Sequence, residues 1–205
     1  MQDLGVTMMC LEAALKAEVD PLIGHFRLRP RSPRGLFRVY ETSGLALVVS
    51  GVGKASAAAA LVYLHTMLGE PRDSAWLNIG VAGHARHLCG KGVIARKITD
   101  AASGRSWYLP AMTILPMIHE PLITVDVPET QYPDDAMYDM EASGFYAMAR
   151  RCTDKARIGC YKVISDNRCT STIQVTPTRV RQLMGERLED IEQLMKEINR
   201  APFQR

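Results

Sequence analysis

Short apolar runs that read as strands alternate with runs that read as helices along most of the chain, and this alternation constrains the fold more than any other feature. Strand candidates are Val6 to Leu11, Leu36 to Tyr40, Leu45 to Ser50, Ala75 to Ile79, Val93 to Ile98, Leu122 to Val127 and Gly159 to Ser165. Between them lie helical runs: one from Ala13 toward Phe26 with Pro21 inside, the alanine-rich Ala55 to Leu68, and Glu141 to Arg150. A last helix begins at Thr176-Pro177, a cap residue followed by proline in the first turn. Val180, Leu183, Met184, Leu188, Ile191, Leu194, Met195 and Ile198 recur at helical spacing along it and predict one buried face. Ser43-Gly44 marks a hairpin turn, and Ser103 to Pro121 reads as irregular. The pattern predicts a single three-layer α/β domain over residues 1–205, with a central mixed β-sheet flanked by helices.

Composition narrows the function classes. With 47% hydrophobic and 23% charged residues, the chain has the profile of a soluble globular protein. A net charge of +3 does not argue for nucleic acid. The densest basic stretch, Arg27-Leu28-Arg29-Pro30-Arg31-Ser32-Pro33-Arg34, lacks interleaved aromatics and reads as a solvated loop, so no nucleic-acid partner is expected. Cys10, Cys89, Cys152, Cys160 and Cys169 are odd in number, irregular in spacing and without a Cys-x-x-Cys pair. Neither a zinc site nor a disulfide framework is indicated, and a reducing cytoplasm is the simplest setting. No apolar run is long enough to span a membrane, and the N-terminus shows no basic start followed by an apolar stretch.

Two runs place carboxylates among core-like residues: Tyr138-Asp139-Met140-Glu141-Ala142 and Val163-Ile164-Ser165-Asp166-Asn167. A carboxylate is seldom buried without a partner or a task, and element ends are where α/β proteins build ligand sites. The plain alternatives are a helix cap at Asp139 and a turn residue at Asp166. Gly51-Val52-Gly53-Lys54 follows a strand and opens a helix, a place where backbone N–H groups can meet an anion. It is not a P-loop, which needs glycine where Val48 stands and a hydroxyl residue where Ala55 stands. Nor is it a dinucleotide fingerprint, which needs Gly or Ala where Ser56 stands.

Taken in order, these pieces resemble the nucleoside phosphorylase and nucleosidase family, most closely the 5′-methylthioadenosine/S-adenosylhomocysteine nucleosidases. Glu18-Val19, Ser50-Gly51-Val52-Gly53-Lys54, Asn78-Ile79-Gly80-Val81-Ala82-Gly83, Asp139-Met140-Glu141-Ala142 and Ile164-Ser165-Asp166 carry the resemblance, which spans residues 6 to 198 with the flanking elements. It implies cleavage of the N-glycosidic bond of a purine nucleoside. Asp166 would share or give a proton at purine N7, and Glu18 would orient and deprotonate the attacking water. Glu141 would accept hydrogen bonds from the ribose hydroxyls, Met140 would pack on the sugar, and Ser165 and Asn167 would hold Asp166 or the base edge. Gly80, Val81 and Phe145 complete the expected substrate contacts. Gly51, Gly53, Lys162 and Asn78 form the expected anion or nucleophile site. No metal or organic cofactor is implied, and the family's habit of assembly predicts a homodimer or higher homo-oligomer.

The nucleophile divides this family. Related phosphorylases carry an arginine where Asn78 stands, so Asn78-Ile79-Gly80 favours water over phosphate. Val81 stands where the nucleosidases have a serine near the water, and Lys162 where they have an arginine. His84 could reach the same area or could equally be a surface loop residue. The family's base-stacking phenylalanine has no counterpart in Thr124-Val125-Asp126-Val127-Pro128, leaving Trp107, Tyr108, Tyr132 and Phe145 as substitutes. Two alternatives to hydrolysis follow: a phosphate-dependent phosphorylase, and a nucleoside-binding protein without catalysis.

Overall fold

A computed structural model of the chain describes residues 8–31, 35–112 and 117–201. Its strands are β1 Met8–Ala13, β2 Arg29–Pro30, β3 Arg38–Thr42, β4 Leu45–Val49, β5 Ser74–His84, β6 Gly92–Asp100, β7 Ser106–Tyr108, β8 Ile118–Thr124, β9 Met137–Asp139 and β10 Ile158–Asp166. Its helices are α1 Lys16–His25, α2 Lys54–Met67, α3 Ala142–Cys152, α4 Pro177–Gly185 and α5 Leu188–Arg200. The strands form one mixed sheet in the order β10-β6-β8-β9-β5-β1-β4-β3-β2, with β7 pairing with β6 off this path. Because β10 pairs with β5 as well as β6, strands β5, β10, β6, β8 and β9 close into a ring.

Side chains alternate across the long strands, as the period of two requires. Cys10, Trp76, Cys160 and Ile164 face α2 and α3, while Leu11, Leu77, Tyr161 and Val163 face α1, α4 and α5. Both faces of the sheet are thus covered, giving the three-layer α/β arrangement the sequence predicts. In α2, Ala57, Ala60, Leu61 and Leu64 form the buried stripe.

Several elements depart from the sequence reading. β1 runs on to Ala13, so α1 begins only at Lys16. The segment expected to be irregular contains β7 and the start of β8. Proline usually argues against a strand, but Pro121 falls where the β6–β8 register shifts, a point that needs no regular ladder. β9 is too short for its periodicity to be read. The expected single last helix is two, because the chain turns after Gly185 and lets the Arg187 side chain donate to the Gly90 carbonyl at 2.7 Å. The apolar spacing stays in phase across that turn, which is why it reads as continuous. The expected start of β1 at Val6 and the end of the arginine loop lie outside the described residues. All five cysteines are free. Among the described residues no helix is long and apolar enough to cross a membrane.

Candidate active site

Strands β1, β5 and β10 are parallel neighbours, and their C-terminal ends open on one cavity of about 220 Å³. Glu18, Val81, Gly83, Tyr138, Asp139, Met140, Glu141, Ser165 and Asp166 line it, together with apolar residues that include Leu15, Val52, Val125 and Val175. Carboxylates from four separate stretches of the chain, Glu129 among them, therefore converge on the same space.

Glu18 lies in the first turn of α1 and is buried. Its Oε2 accepts the Leu15 N–H at 2.8 Å and its Oε1 the Val81 N–H at 2.9 Å. Gly80 permits this approach, since a Cβ there would sit 2.7 Å from Glu18 Oε1. Burial pushes the Glu18 carboxyl up to about 7, against the opposing pull of Lys162 and the two N–H donors.

Glu141 precedes α3 and ties the Asp139-Met140-Glu141 run to the glycine loop. Its Oε1 accepts the Gly53 N–H at 2.9 Å and its Oε2 the Met140 N–H at 3.3 Å. Burial raises its carboxyl as well. Gly53 holds φ 103°, a conformation that favours glycine. The loop's N–H groups thus have internal partners: Gly51 donates to the Ala14 carbonyl at 3.0 Å, and Gly53 donates to Glu141. Lys54 turns outward and pairs with Asp100 at 3.0 Å and Asp126 at 2.9 Å.

Beneath the cavity lies a row of polar groups on neighbouring strands. Lys162 on β10 is buried, and its Nζ pairs with Asp139 Oδ2 at 2.9 Å. Burial alone would lower the lysine, but Asp139 and Glu141 outweigh it and hold the ammonium charged. Asp139 also accepts from the Thr124 hydroxyl at 2.8 Å and from the Ala142 N–H at 2.9 Å. The last of these bonds is the helix-start role the sequence offered as the plain alternative. Asn78 is buried and donates to Glu12 Oε2, while Cys160 donates to its Oδ1 at 3.3 Å.

Asp166 ends β10 just past a register irregularity that turns it from the sheet face toward the cavity. Ser165 Oγ donates to its Oδ1, and the Tyr132 hydroxyl donates to its Oδ2.

Of the residues the sequence singled out, Glu18, Val81, Met140, Glu141, Ser165 and Asp166 line the cavity. Gly80, Lys162 and Asn78 lie behind that lining, where Gly80 makes room for Glu18. Phe145 is not among the lining residues. It sits wholly buried between α3 and the sheet, where its ring fills the core. Asn167 is also off the cavity. It donates to the His87 carbonyl at 2.8 Å and accepts the N–H groups of Cys169 and Thr170, a turn role. Sequence reading passed over Glu12, a wholly buried carboxylate on β1. Its one signal was an acid inside an apolar strand run.

His84, His87 and Glu120 bring possible ligand atoms within 4.8 Å of one another. The His84 Nδ1, however, accepts N–H groups from Arg86 at 3.1 Å and His87 at 3.2 Å. Its ring proton therefore sits on Nε2, and neither nitrogen offers a lone pair to a metal. His84 is stacked on His87 with ring centroids 4.2 Å apart and does not line the cavity.

No protein-family model matches the chain, and a search of curated proteins finds no relative. Solved structures do match its fold. The apo 5′-methylthioadenosine nucleosidase of Arabidopsis thaliana has a TM-score of 0.80 at 14% identity, covering 96% of this chain and 97% of its own. The 5′-methylthioadenosine/S-adenosylhomocysteine nucleosidase of S. pneumoniae, solved with a transition-state inhibitor, has a TM-score of 0.71 at 15% identity, covering 94% and 100%. Futalosine hydrolase of Helicobacter pylori has a TM-score of 0.70 at 12% identity, covering 94% and 98%. The chain is thus similar over nearly its full length to nucleoside-cleaving enzymes, and at these identities what it shares with them is the fold.

Proposed function

We propose that this protein hydrolyses the N-glycosidic bond of a purine nucleoside. The observation that carries the reading is the convergence of Glu18, Glu141 and Asp166 on one cavity. Breaking the bond between C1′ and N9 moves its electron pair onto the base and leaves positive charge on the ribose. Asp166 shares or gives the proton that N7 takes up, so the base leaves neutral. Glu18, raised to about 7, takes a proton from the water that bonds to C1′. Glu141 accepts hydrogen bonds from the ribose hydroxyls, and these tighten as charge grows on the ring. The cationic sugar forms among carboxylates, which favour the charged state more than the neutral substrate.

Water is preferred to phosphate on the same evidence. Glu18, Glu129, Asp139, Glu141 and Asp166 line the cavity, and no lysine or arginine is among its described lining residues. Lys162, the nearest ammonium, is committed to Asp139. Apolar walls at Leu15, Val52, Val125, Pro128 and Val175 suit a 5′-substituted adenosine. The same reading takes the chain as one domain, working as a homodimer in the cytoplasm; light scattering on the purified protein checks the assembly.

The test is a panel of purine nucleosides, including 5′-alkylthio compounds, incubated with and without phosphate, with free base read by chromatography. Release without phosphate is expected, with a loss of about 10²–10⁴-fold in Asp166→Asn. Release only with phosphate would make the protein a phosphorylase. Tight binding without release from any compound would leave a nucleoside-binding protein.

A further inference from the structure

Tyr132 has φ 47°, a backbone conformation that a bulky side chain rarely adopts. Such a residue persists only where its surroundings hold it, and here they hold it at every point. Its carbonyl accepts from Arg168 Nη2 at 2.8 Å. Its ring meets Tyr138 edge-on, with centroids 5.9 Å apart, in a small apolar cluster with Ala136. Its hydroxyl donates to Asp166 Oδ2. Gly83 on β5 makes this approach possible, because a Cβ there would lie 2.5 Å from the Tyr132 ring and 2.9 Å from Asp166 Oδ2.

We infer that Tyr132 is a positioning residue that locks the Asp166 carboxylate in its working orientation. The inference rests on the reading of Asp166 as the group that handles the proton at the base. Asp166 ends β10, paired with Gly83 just past a register irregularity, and its carboxylate can still turn about its own side-chain bonds. A single donor would leave it that rotation. Two donors, Ser165 on Oδ1 and Tyr132 on Oδ2, fix the carboxylate plane. Each oxygen has a second lone pair left for a ligand. Tyr132 is only 1% exposed and is not among the cavity-lining residues, so it acts through Asp166 and not on substrate. The strained backbone, the missing Cβ at Gly83 and the Arg168 bond all serve to bring one hydroxyl to one oxygen.

The experiment compares Tyr132→Phe, Asp166→Asn and the double variant with wild-type full-length protein, using the nucleoside from the panel that wild type cleaves fastest. Phenylalanine keeps the ring and removes the donor. The expected result for Tyr132→Phe is a kcat lower by about 10- to 100-fold with KM within about threefold. In the Asp166→Asn background, Tyr132→Phe adds little further loss, as expected of residues that act as one unit. A ring that merely filled space would lose no kcat when only its hydroxyl is removed. Wild-type kcat in Tyr132→Phe, with Asp166→Asn inactive, would overturn the inference and leave the function standing. Full activity in Asp166→Asn, or no cleavage by wild type, would overturn both. If Tyr132→Phe does not fold, Gly83→Ala displaces the same ring, and an unchanged kcat there overturns the inference equally.

Discussion

The two ends of the cavity handle negative charge in opposite ways. At one end Glu12, Glu18, Asp139 and Glu141 all feel the ammonium of Lys162, which makes its hydrogen bond to Asp139. One positive charge cannot offset four carboxylates, so burial prevails and pushes Glu12 and Glu18 up to about 7. At the other end Asp166 is met by hydroxyls, with Ser165 and Tyr132 supplying hydrogen bonds and no charge. The same side-chain chemistry thus meets ion crowding on one side and neutral donors on the other.

The comparison breaks most sharply at Glu18. Glu18→Gln is expected to lower kcat by about 10²–10⁴-fold with little change in binding, since the amide cannot take a proton from water. In wild type, kcat should climb as pH rises through about 7, where Glu18 loses its proton. That limb should vanish in the variant, and a rate profile identical to wild type would assign the base elsewhere. Next in size is Lys162→Met, which leaves Asp139 buried without its cation. Breaking such a pair costs about 3–5 kcal/mol, to be read as a fall in the urea midpoint at neutral pH. An unchanged midpoint would mean that the carboxylates there are not charged in the folded protein.

Much of this is legible in the sequence. The acids in the apolar runs around Glu141 and Asp166 stand out, and the ordered motifs of the resemblance add Glu18, while Glu12, an acid in an apolar run outside those motifs, goes unread. What the sequence hid was pairing across distance. Lys162 read as a weaker stand-in for an arginine at the nucleophile, and nothing local shows that its partner is Asp139, on a strand too short to detect. Tyr132 read as one aromatic among several that might stack on a base. Its role depends on a positive φ and on the missing Cβ of Gly83, two features that no periodicity encodes. Phe145 shows the converse case, where the want of a base-stacking aromatic suggested a substrate contact and the helix face sent the ring to the core.

The smallest expected effect sharpens the comparison by separating burial from catalysis. Glu12 and Glu18 share a pKa near 7 and the same main cause, yet only Glu18 lines the cavity. Glu12 Oε1 has no hydrogen-bond partner among the described residues. A carboxylate raised from 4.5 to about 7 on folding binds a proton more tightly in the folded state than in the unfolded one. Its contribution to stability is therefore complete below about 4.5 and is lost as pH rises through about 7. Glu12→Gln removes that loss and keeps a carbonyl for the Asn78 amide. The variant should match wild type near pH 4.5 and exceed it at pH 8 by on the order of 3 kcal/mol, measured by urea unfolding at both pH values. Its kcat should fall far less than that of Glu18→Gln. Equal stability of variant and wild type at pH 8 would show that folding does not raise the Glu12 carboxyl above its unfolded value. A collapse of kcat would instead draw Glu12 into the reaction as a second proton carrier, and the crowded end of the cavity would then have to be read as a relay.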